Sequence, residues 1–171
     1  MGWDYTYGGE LHRHNQELLL TADLSSFLQS QHPELEPDDV TNIIDHLRHT
    51  GGQTHFDRLR ATYHLLVDGY RYTRQRDGVA FDIAYIDFEE VERNRFRAVN
   101  QFEVGYGQGG DIRIPDVLLF VNGIPLCIFE LKNPTDATAS IASAYEQIHT
   151  RYMRDIPHLL RYCPLLSLIH I

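Results

Sequence analysis

The fold is decided by one stretch of the sequence, Arg113-Ile-Pro-Asp-Val-Leu-Leu-Phe-Val-Asn-Gly-Ile-Pro-Leu-Cys-Ile-Phe-Glu-Leu-Lys132. It contains two nearly unbroken apolar runs, 117–121 and 124–129, on either side of Asn122-Gly123. Asn-Gly between apolar runs predicts a β-hairpin, and strands without polar alternation are typical of strands covered on both faces. We therefore expect two central strands of a sheet.

After Pro115, three charged residues flank these apolar runs: Asp116, Glu130 and Lys132. Glu130 and Lys132 are two residues apart on one strand, so they share a face. A two-residue turn at Asn122-Gly123 would place Asp116 on the opposite face. A three-residue loop with Gly123 as a left-handed G1 bulge would pair Asp116 with Ile128, diagonal to Glu130 on one face. We therefore predict an odd-length loop, or a bulge elsewhere in the hairpin.

Two carboxylates beside a core cost several kcal/mol unless positive charge compensates them. A divalent ion held by few carboxylates, with open positions for water and a substrate phosphate, is typical of Mg²⁺. Such an ion polarises a phosphoryl oxygen and activates water, while a lysine orients that water. Lys132 is the single lysine of the chain, which indicates a need for a compact ammonium there. The alternatives are a solvent-facing ion pair of Glu130 with Lys132, and Asp116 as a turn cap after Pro115.

Composition limits the class of protein. With 171 residues the chain has the length of a single domain. Its net charge of −9 argues against wrapping a polyanion by bulk charge, although carboxylates that hold a metal fit that balance. Two cysteines, Cys127 and Cys163, are too few for a disulfide framework or a zinc knuckle. Lys132 is followed by Asn133, which excludes a phosphate-binding P-loop. Neither a membrane span nor a signal peptide is visible, so we expect a cytoplasmic protein.

The rest of the chain predicts an α/β fold in which a mixed β-sheet is flanked by helices. Residues 1–69 form an expected helical part, with helices over 10–27, from Pro37 to Gly51-Gly52, and from Phe56 to Gly69. Residues 70–171 form an expected sheet core, with the hairpin at 113–132, strands near 79–85 and 98–104, and a glycine loop at 105–110. A helix is expected over 136–155. We expect one domain over 1–171.

The charged residues of the hairpin and their surroundings resemble those of a known family. Pro115-Asp116 with Glu130-Leu131-Lys132 resembles the PD-(D/E)xK nuclease motif. Its setting, residues 113–134, resembles the N-terminal nuclease domain of the R (restriction, motor) subunit of type I restriction enzymes. Further matches are Ile86-Asp87-Phe88, Asn94-x-Phe96 leading into Val99-Asn100-Gln101-Phe102, and Gln147 with Tyr152. The resemblance covers about residues 81–162.

The resemblance implies a restriction-endonuclease-like fold and an endonuclease that hydrolyses DNA phosphodiester bonds in defence against foreign DNA. It implies that Asp116 and Glu130 bind Mg²⁺, that Lys132 positions or activates the attacking water, and that the product carries a 5′-phosphate. Gln147 and Tyr152 would help hold DNA or the catalytic residues. In some relatives an early glutamate joins the metal site, and the candidates here are Glu10 and Glu17.

The family also implies partners: double-stranded DNA, and the methyltransferase (M) and specificity (S) subunits of the restriction complex. Full R subunits carry an ATP-driven translocase that is absent here, so ATP would act only through that part. Residues 165–171 depart from the family pattern, and we expect a fragment or a truncated reading frame that is weak or inactive alone. Two other functions stay open: a different PD-(D/E)xK DNA nuclease, and a non-catalytic docking module for subunit assembly.

Overall fold

The fold comes from a computed structural model that describes residues 2–132 and 145–170. Residues 132, 147–149, 168 and 170 are described by their backbone alone. Residues 133–144 lie outside the described residues, and they include the start of the helix that the sequence predicts over 136–155.

A five-stranded mixed sheet forms the centre of the molecule, as the sequence predicts. Its order is β1-β4-β7-β8-β9. The central pairs β4–β7 and β7–β8 are antiparallel, whereas β1 runs parallel to β4 and β9 runs parallel to β8. The strands are β1 (Asp4–Tyr7), β4 (Phe96–Asn100), β7 (Val117–Val121), β8 (Ile124–Lys132) and β9 (Leu165–His170).

The central hairpin β7–β8 is confirmed, but the three-residue loop is wrong. Val121 pairs with Ile124 across a two-residue turn in which Asn122 and Gly123 have φ of 51° and 79°. This positive-φ pair matches the right-handed twist of the strands. A Cβ at position 123 would also lie 2.3 Å from the Leu20 carbonyl oxygen, so only glycine fits.

The predicted alternative, a bulge elsewhere in the hairpin, is what the structure contains. Phe120 pairs with Pro125, yet Leu119 pairs with Cys127, so Leu126 is the extra residue on β8. Beyond the bulge the ladder continues to Val117 with Phe129. The bulge shifts every later pair by one residue, which reverses the face that β8 would otherwise present at its far end.

In the described part of the chain, the helices of the N-terminal part share one hydrophobic core with the sheet. The predicted second and third helices are confirmed, while the first begins later than expected. Residues 11–20 are not helical because their backbone bonds elsewhere: the Leu20 amide donates to the Gly123 carbonyl and the Gly105 amide donates to the Asn15 carbonyl. The helices are α1 (Thr21–Gln31), α2 (Pro37–Arg48) and α3 (His55–Asp68).

The expected helical part also contributes a strand that the sequence pattern did not show. β1 joins the sheet edge through β4, and a 3₁₀ turn, Gly8–Glu10, follows it. Two small hairpins complete the strands, and the expected glycine loop turns out to be the turn of the second one. They are β2 (Tyr70–Thr73) with β3 (Ala80–Ile83), and β5 (Val104–Tyr106) with β6 (Asp111–Arg113).

After the undescribed residues the chain returns as a helical segment and then as β9. This segment consists of a π-helical turn (Gln147–Tyr152), α4 (Met153–Asp155) and α5 (Pro157–Leu160). The core lies between the helices and the sheet, where Leu24, Leu28, Ile43, Leu118 and Phe120 are fully buried. In the described part of the chain, every helix is too short or too polar to cross a membrane.

Candidate active site

The candidate site lies where β7 begins and β8 ends. Asp116 directly precedes β7, and the ladder pair Val117 with Phe129 places the next step at Asp116 and Glu130. Residues directly opposite on antiparallel strands have Cβ atoms about 4.5–5.5 Å apart and share a face. The bulge at Leu126 therefore brings the two predicted carboxylates together, face to face rather than diagonally.

The Asp116 carboxylate is held across the hairpin. Its Oδ2 accepts a hydrogen bond from the Leu131 amide at 2.8 Å, and its backbone carbonyl accepts one from the Gln101 amide at 3.1 Å. Among the described residues, none bonds to its Oδ1. The reading of Asp116 as a cap of its own turn is wrong, because its carboxylate bonds to the neighbouring strand.

Glu130 is buried, with only 1% of its surface exposed. The Tyr152 hydroxyl donates a hydrogen bond to its Oε1 at 2.5 Å, and Tyr152 itself is 2% exposed. The hydroxyl therefore fixes the orientation of the Glu130 carboxyl group from the facing helical segment. Glu130 is therefore not solvent-facing, which contradicts the solvent-exposed form of the alternative. Tyr152 is a core aromatic and also a direct partner of the predicted metal ligand.

Two predicted site residues are described by their backbone alone. Lys132 ends β8 two residues after Glu130, and its backbone pairs with His170 of β9. Gln147 begins the π-helical turn that ends at Tyr152. Their side chains lie outside the described part of the structure, so their predicted roles stay predictions.

The two early glutamates occupy different places. Glu17 is engaged structurally: its Oε2 pairs with Arg48 at 2.5 Å and its Oε1 accepts the Leu19 amide at 3.1 Å. Glu10 ends the 3₁₀ turn after β1, and this turn packs Gly8 against the Gln101 carbonyl at the same end of the sheet as Asp116. Within the described residues, no three Asp, Glu, His or Cys side chains form a metal-ligand group.

One pair beside the site was missed by sequence reasoning. Arg113 bonds to Asp155 through Nε at 2.9 Å and through Nη2 at 2.6 Å. The two residues are 42 positions apart, and no local pattern links them. The signal that was available was Arg113 itself, which lies inside the quoted stretch. Arg113 and Tyr152 also line a surface depression of about 180 Å³, together with Ile112, Ile114 and Arg151.

The donor chemistry of this sheet end fits a hard divalent cation. Asp116 and Glu130 offer carboxylate oxygens from two adjacent strands, and Mg²⁺ is commonly held by one or two carboxylates plus water and substrate phosphate. Burial of Glu130 lowers the local dielectric and strengthens its attraction for a cation. The arrangement can therefore hold a metal ion and leave positions open for phosphate oxygens.

Comparison with known proteins identifies the family of the chain. The family described as type I restriction enzyme R protein N terminus matches residues 1–170. The HindI type I restriction enzyme endonuclease subunit of Haemophilus influenzae is 33% identical over 95% of this chain and 16% of that protein. The putative type I restriction enzyme MjaIXP endonuclease subunit of Methanocaldococcus jannaschii is 27% identical over 97% of this chain and 17% of that protein. The chain thus spans about a sixth of the length of these relatives, and it belongs to the family of type I restriction enzyme R protein N termini.

Proposed function

We propose that this chain is the nuclease part of a type I restriction endonuclease subunit and hydrolyses DNA phosphodiester bonds with Mg²⁺. The observation that carries the proposal is the ladder pair Val117 with Phe129, whose next position brings Asp116 opposite Glu130, together with the bond from the Leu131 amide to the Asp116 carboxylate. Family membership supports it, because the similar proteins are endonuclease subunits by name.

In this proposal Asp116 and Glu130 hold the metal ion, which supplies Lewis-acid polarisation of the scissile phosphate when bound. The Tyr152 hydroxyl keeps Glu130 oriented through its 2.5 Å bond. The Leu131 amide holds Asp116 in the same way from the backbone. Lys132 positions or activates the attacking water, and Gln147 contacts DNA or the catalytic groups.

The longer protein would act on double-stranded DNA together with M and S subunits, in the cytoplasm. Recognition of the target sequence would reside in the S subunit. ATP-dependent translocation would belong to the parts of such subunits that this chain does not span. These assignments extend the family membership to the whole complex.

The test measures metal binding and DNA cleavage separately with this chain. Calorimetric titration with Mn²⁺ as the probe should show binding to the wild type, and Asp116→Asn should weaken it by about 100-fold because a ligand oxygen is lost. Asp111→Asn is the matched control, since Asp111 is an exposed aspartate five positions earlier on β6. Its affinity should equal that of the wild type.

Cleavage of supercoiled plasmid distinguishes the role of the lysine. Lys132→Ala should keep metal affinity within about threefold and abolish even weak cutting by the wild-type chain, because loss of a proton-transfer or water-positioning group typically costs about 10²–10⁴-fold. Cutting that persists in Lys132→Ala contradicts the lysine's role. The competing docking module predicts a folded chain that binds no metal.

A further inference from the structure

The pair Arg113–Asp155 links two segments that each lead to a metal-binding carboxylate. Arg113 ends β6, three residues before Asp116. Asp155 ends α4, three residues after Tyr152, whose hydroxyl holds Glu130. The ion pair therefore closes a ring that runs from Asp116 through Arg113, Asp155 and Tyr152 to Glu130, and back across the hairpin.

Each side of this ring is short and stiff. Between Arg113 and Asp116 the chain passes through Ile114-Pro115, where proline fixes its own φ and restricts the preceding residue to extended conformations. Between Tyr152 and Asp155 lies one helical turn, closed by the Ile156 amide bonding to the Tyr152 carbonyl at 2.9 Å. A displacement at Arg113 or Asp155 is therefore transmitted to the site rather than absorbed by a loop.

Burial, charge and a ring contact hold the Arg113–Asp155 pair in one arrangement. The Asp155 side chain is 6% exposed, whereas Arg113 is 31% and Arg154 is 66% exposed. Arg113 is further fixed by its guanidinium lying 4.8 Å from the centre of the Tyr106 ring. Hydrogen bonds from Arg154 and Arg113 lower the pKa of Asp155 to about 2, so the carboxylate is charged at neutral pH.

Only one of the two arginines on Asp155 bridges between elements. Arg154 is its immediate neighbour on α4 and donates to it at 2.7 Å and 3.1 Å. Arg113 reaches it from β6. Removal of Arg113 therefore breaks the ring but leaves Asp155 paired, while removal of Arg154 leaves the ring intact.

We propose that the Arg113–Asp155 pair is a positioning device that sets the separation of Asp116 and Glu130 for metal binding. This inference rests on the proposed function, because it assigns the metal to those two carboxylates. Neither Arg113 nor Asp155 contacts the metal or the reacting atoms in this role; each acts through the backbone segment that it anchors.

The test compares Mn²⁺ affinity with folding stability in wild type, Arg113→Gln, Arg113→Lys and Arg154→Gln. Loss of a residue that orients metal ligands typically costs about 10–100-fold in metal affinity, so Arg113→Gln should bind about 10-fold more weakly. Arg154→Gln should stay within about twofold of wild type because the ring is intact. Arg113→Lys keeps the charge but offers one donor nitrogen instead of two, and it should recover about half of the lost binding free energy. Binding is measured where urea unfolding shows each variant to be folded.

The outcomes separate the two proposals. If the wild type binds Mn²⁺ and Arg113→Gln binds equally well, the positioning role is overturned even where unfolding shows lost stability, while the proposed function stands. If the wild type binds no Mn²⁺, both are overturned. Should Arg113→Gln fail to fold, Arg113→Lys carries the test, and wild-type affinity in that variant overturns the inference.

Discussion

The two ends of the β7–β8 hairpin bury polar side chains to the same extent but in different chemical forms. Asn122 at the turn is 0% exposed and Glu130 at the open end is 1% exposed. Asn122 Oδ1 accepts the Arg95 amide at 2.8 Å, and its Nδ2 donates to the Tyr85 carbonyl at 3.0 Å and to Asn94 Oδ1 at 2.7 Å. At the open end the buried group is an acid held by a phenol hydroxyl.

This difference separates a residue that specifies the fold from one that is suited to chemistry. Asn122 is neutral, and both its side-chain acceptor and its donor are satisfied, so its burial costs little and holds the turn against Arg95 and Asn94. Asn94 in turn bonds to the Asp87 amide and carbonyl at 2.9 Å and 2.7 Å, which explains structurally two of the motifs that carry the family resemblance. Glu130 buries an acid, a group whose ionised form is costly to bury without a compensating cation, and this is the role that the proposed metal ion would fill.

The largest change in the free energy of unfolding is expected when an acid replaces the buried amide at the turn end of the hairpin. Asn122→Asp keeps the size of the side chain and tolerates the φ of 51°, but it replaces a donor with an oxygen that faces two acceptors. Loss of both bonds and burial of a charge should lower the free energy of unfolding by about 3–5 kcal/mol. Urea denaturation monitored by circular dichroism measures this.

The reciprocal variant, Glu130→Gln, is the control for that comparison. It removes charge from the open end and keeps the shape, so the free energy of unfolding should change by less than about 1 kcal/mol while Mn²⁺ binding is lost. Equal loss of stability in both variants would mean that the two ends do not differ as argued.

A smaller effect, on metal affinity, is expected when the Tyr152 hydroxyl that donates to Glu130 is removed. Tyr152→Phe keeps the buried ring and deletes the donor to Oε1, so Mn²⁺ should bind about 10-fold more weakly, as for other groups that orient metal ligands. Tyr85→Phe is the matched control, because Tyr85 is also fully buried and donates its hydroxyl to a neutral acceptor, the Ile43 carbonyl at 2.9 Å. Each variant should lose about 1–2 kcal/mol of unfolding free energy. Weakened metal binding in Tyr85→Phe would contradict the specific role of Tyr152.

The sequence was sufficient for the parts of the fold that local patterns encode. Uninterrupted apolar runs around Asn122-Gly123 predict the central hairpin, and the two carboxylates and the lysine at its far end are visible as interruptions. The requirement that Asp116 and Glu130 share a face led correctly to an irregularity in the hairpin. Its place at Leu126 was not predictable, because a bulge depends on packing against neighbouring strands rather than on local residue type.

Long-range contacts account for what the sequence pattern did not show. Residues 11–20 have helical spacing of apolar residues, yet their amides and carbonyls bond to the hairpin turn and to β5, which overrides local propensity. β1 is a short edge strand whose identity depends on β4 as a partner. Arg113 and Asp155 meet because the stretch 113–132 and the segment that ends at Asp155 pack together. The two residues are 42 positions apart, so no local spacing in the sequence predicts their contact.

The smallest effect is on the pH dependence of the free energy of unfolding. It also distinguishes the two ends of the hairpin, because Asn122 and Asn94 at the turn end do not titrate. Hydrogen bonds from Arg154 and Arg113 lower the pKa of Asp155 from its ordinary value of 3.8 to about 2. A carboxylate with a lowered pKa stabilises the fold fully above its unfolded value, and this contribution disappears as pH falls from about 4 to about 2. Asp155→Asn should therefore show a shallower loss of unfolding free energy over that range. Asp77→Asn is the matched comparison: hydrogen bonding to Arg74 likewise lowers the pKa of Asp77 to about 2, but Asp77 lies in the turn between β2 and β3. Both variants should flatten the acid limb, whereas only Asp155→Asn should weaken Mn²⁺ binding at neutral pH, since only Asp155 is tied to the segment that precedes Asp116.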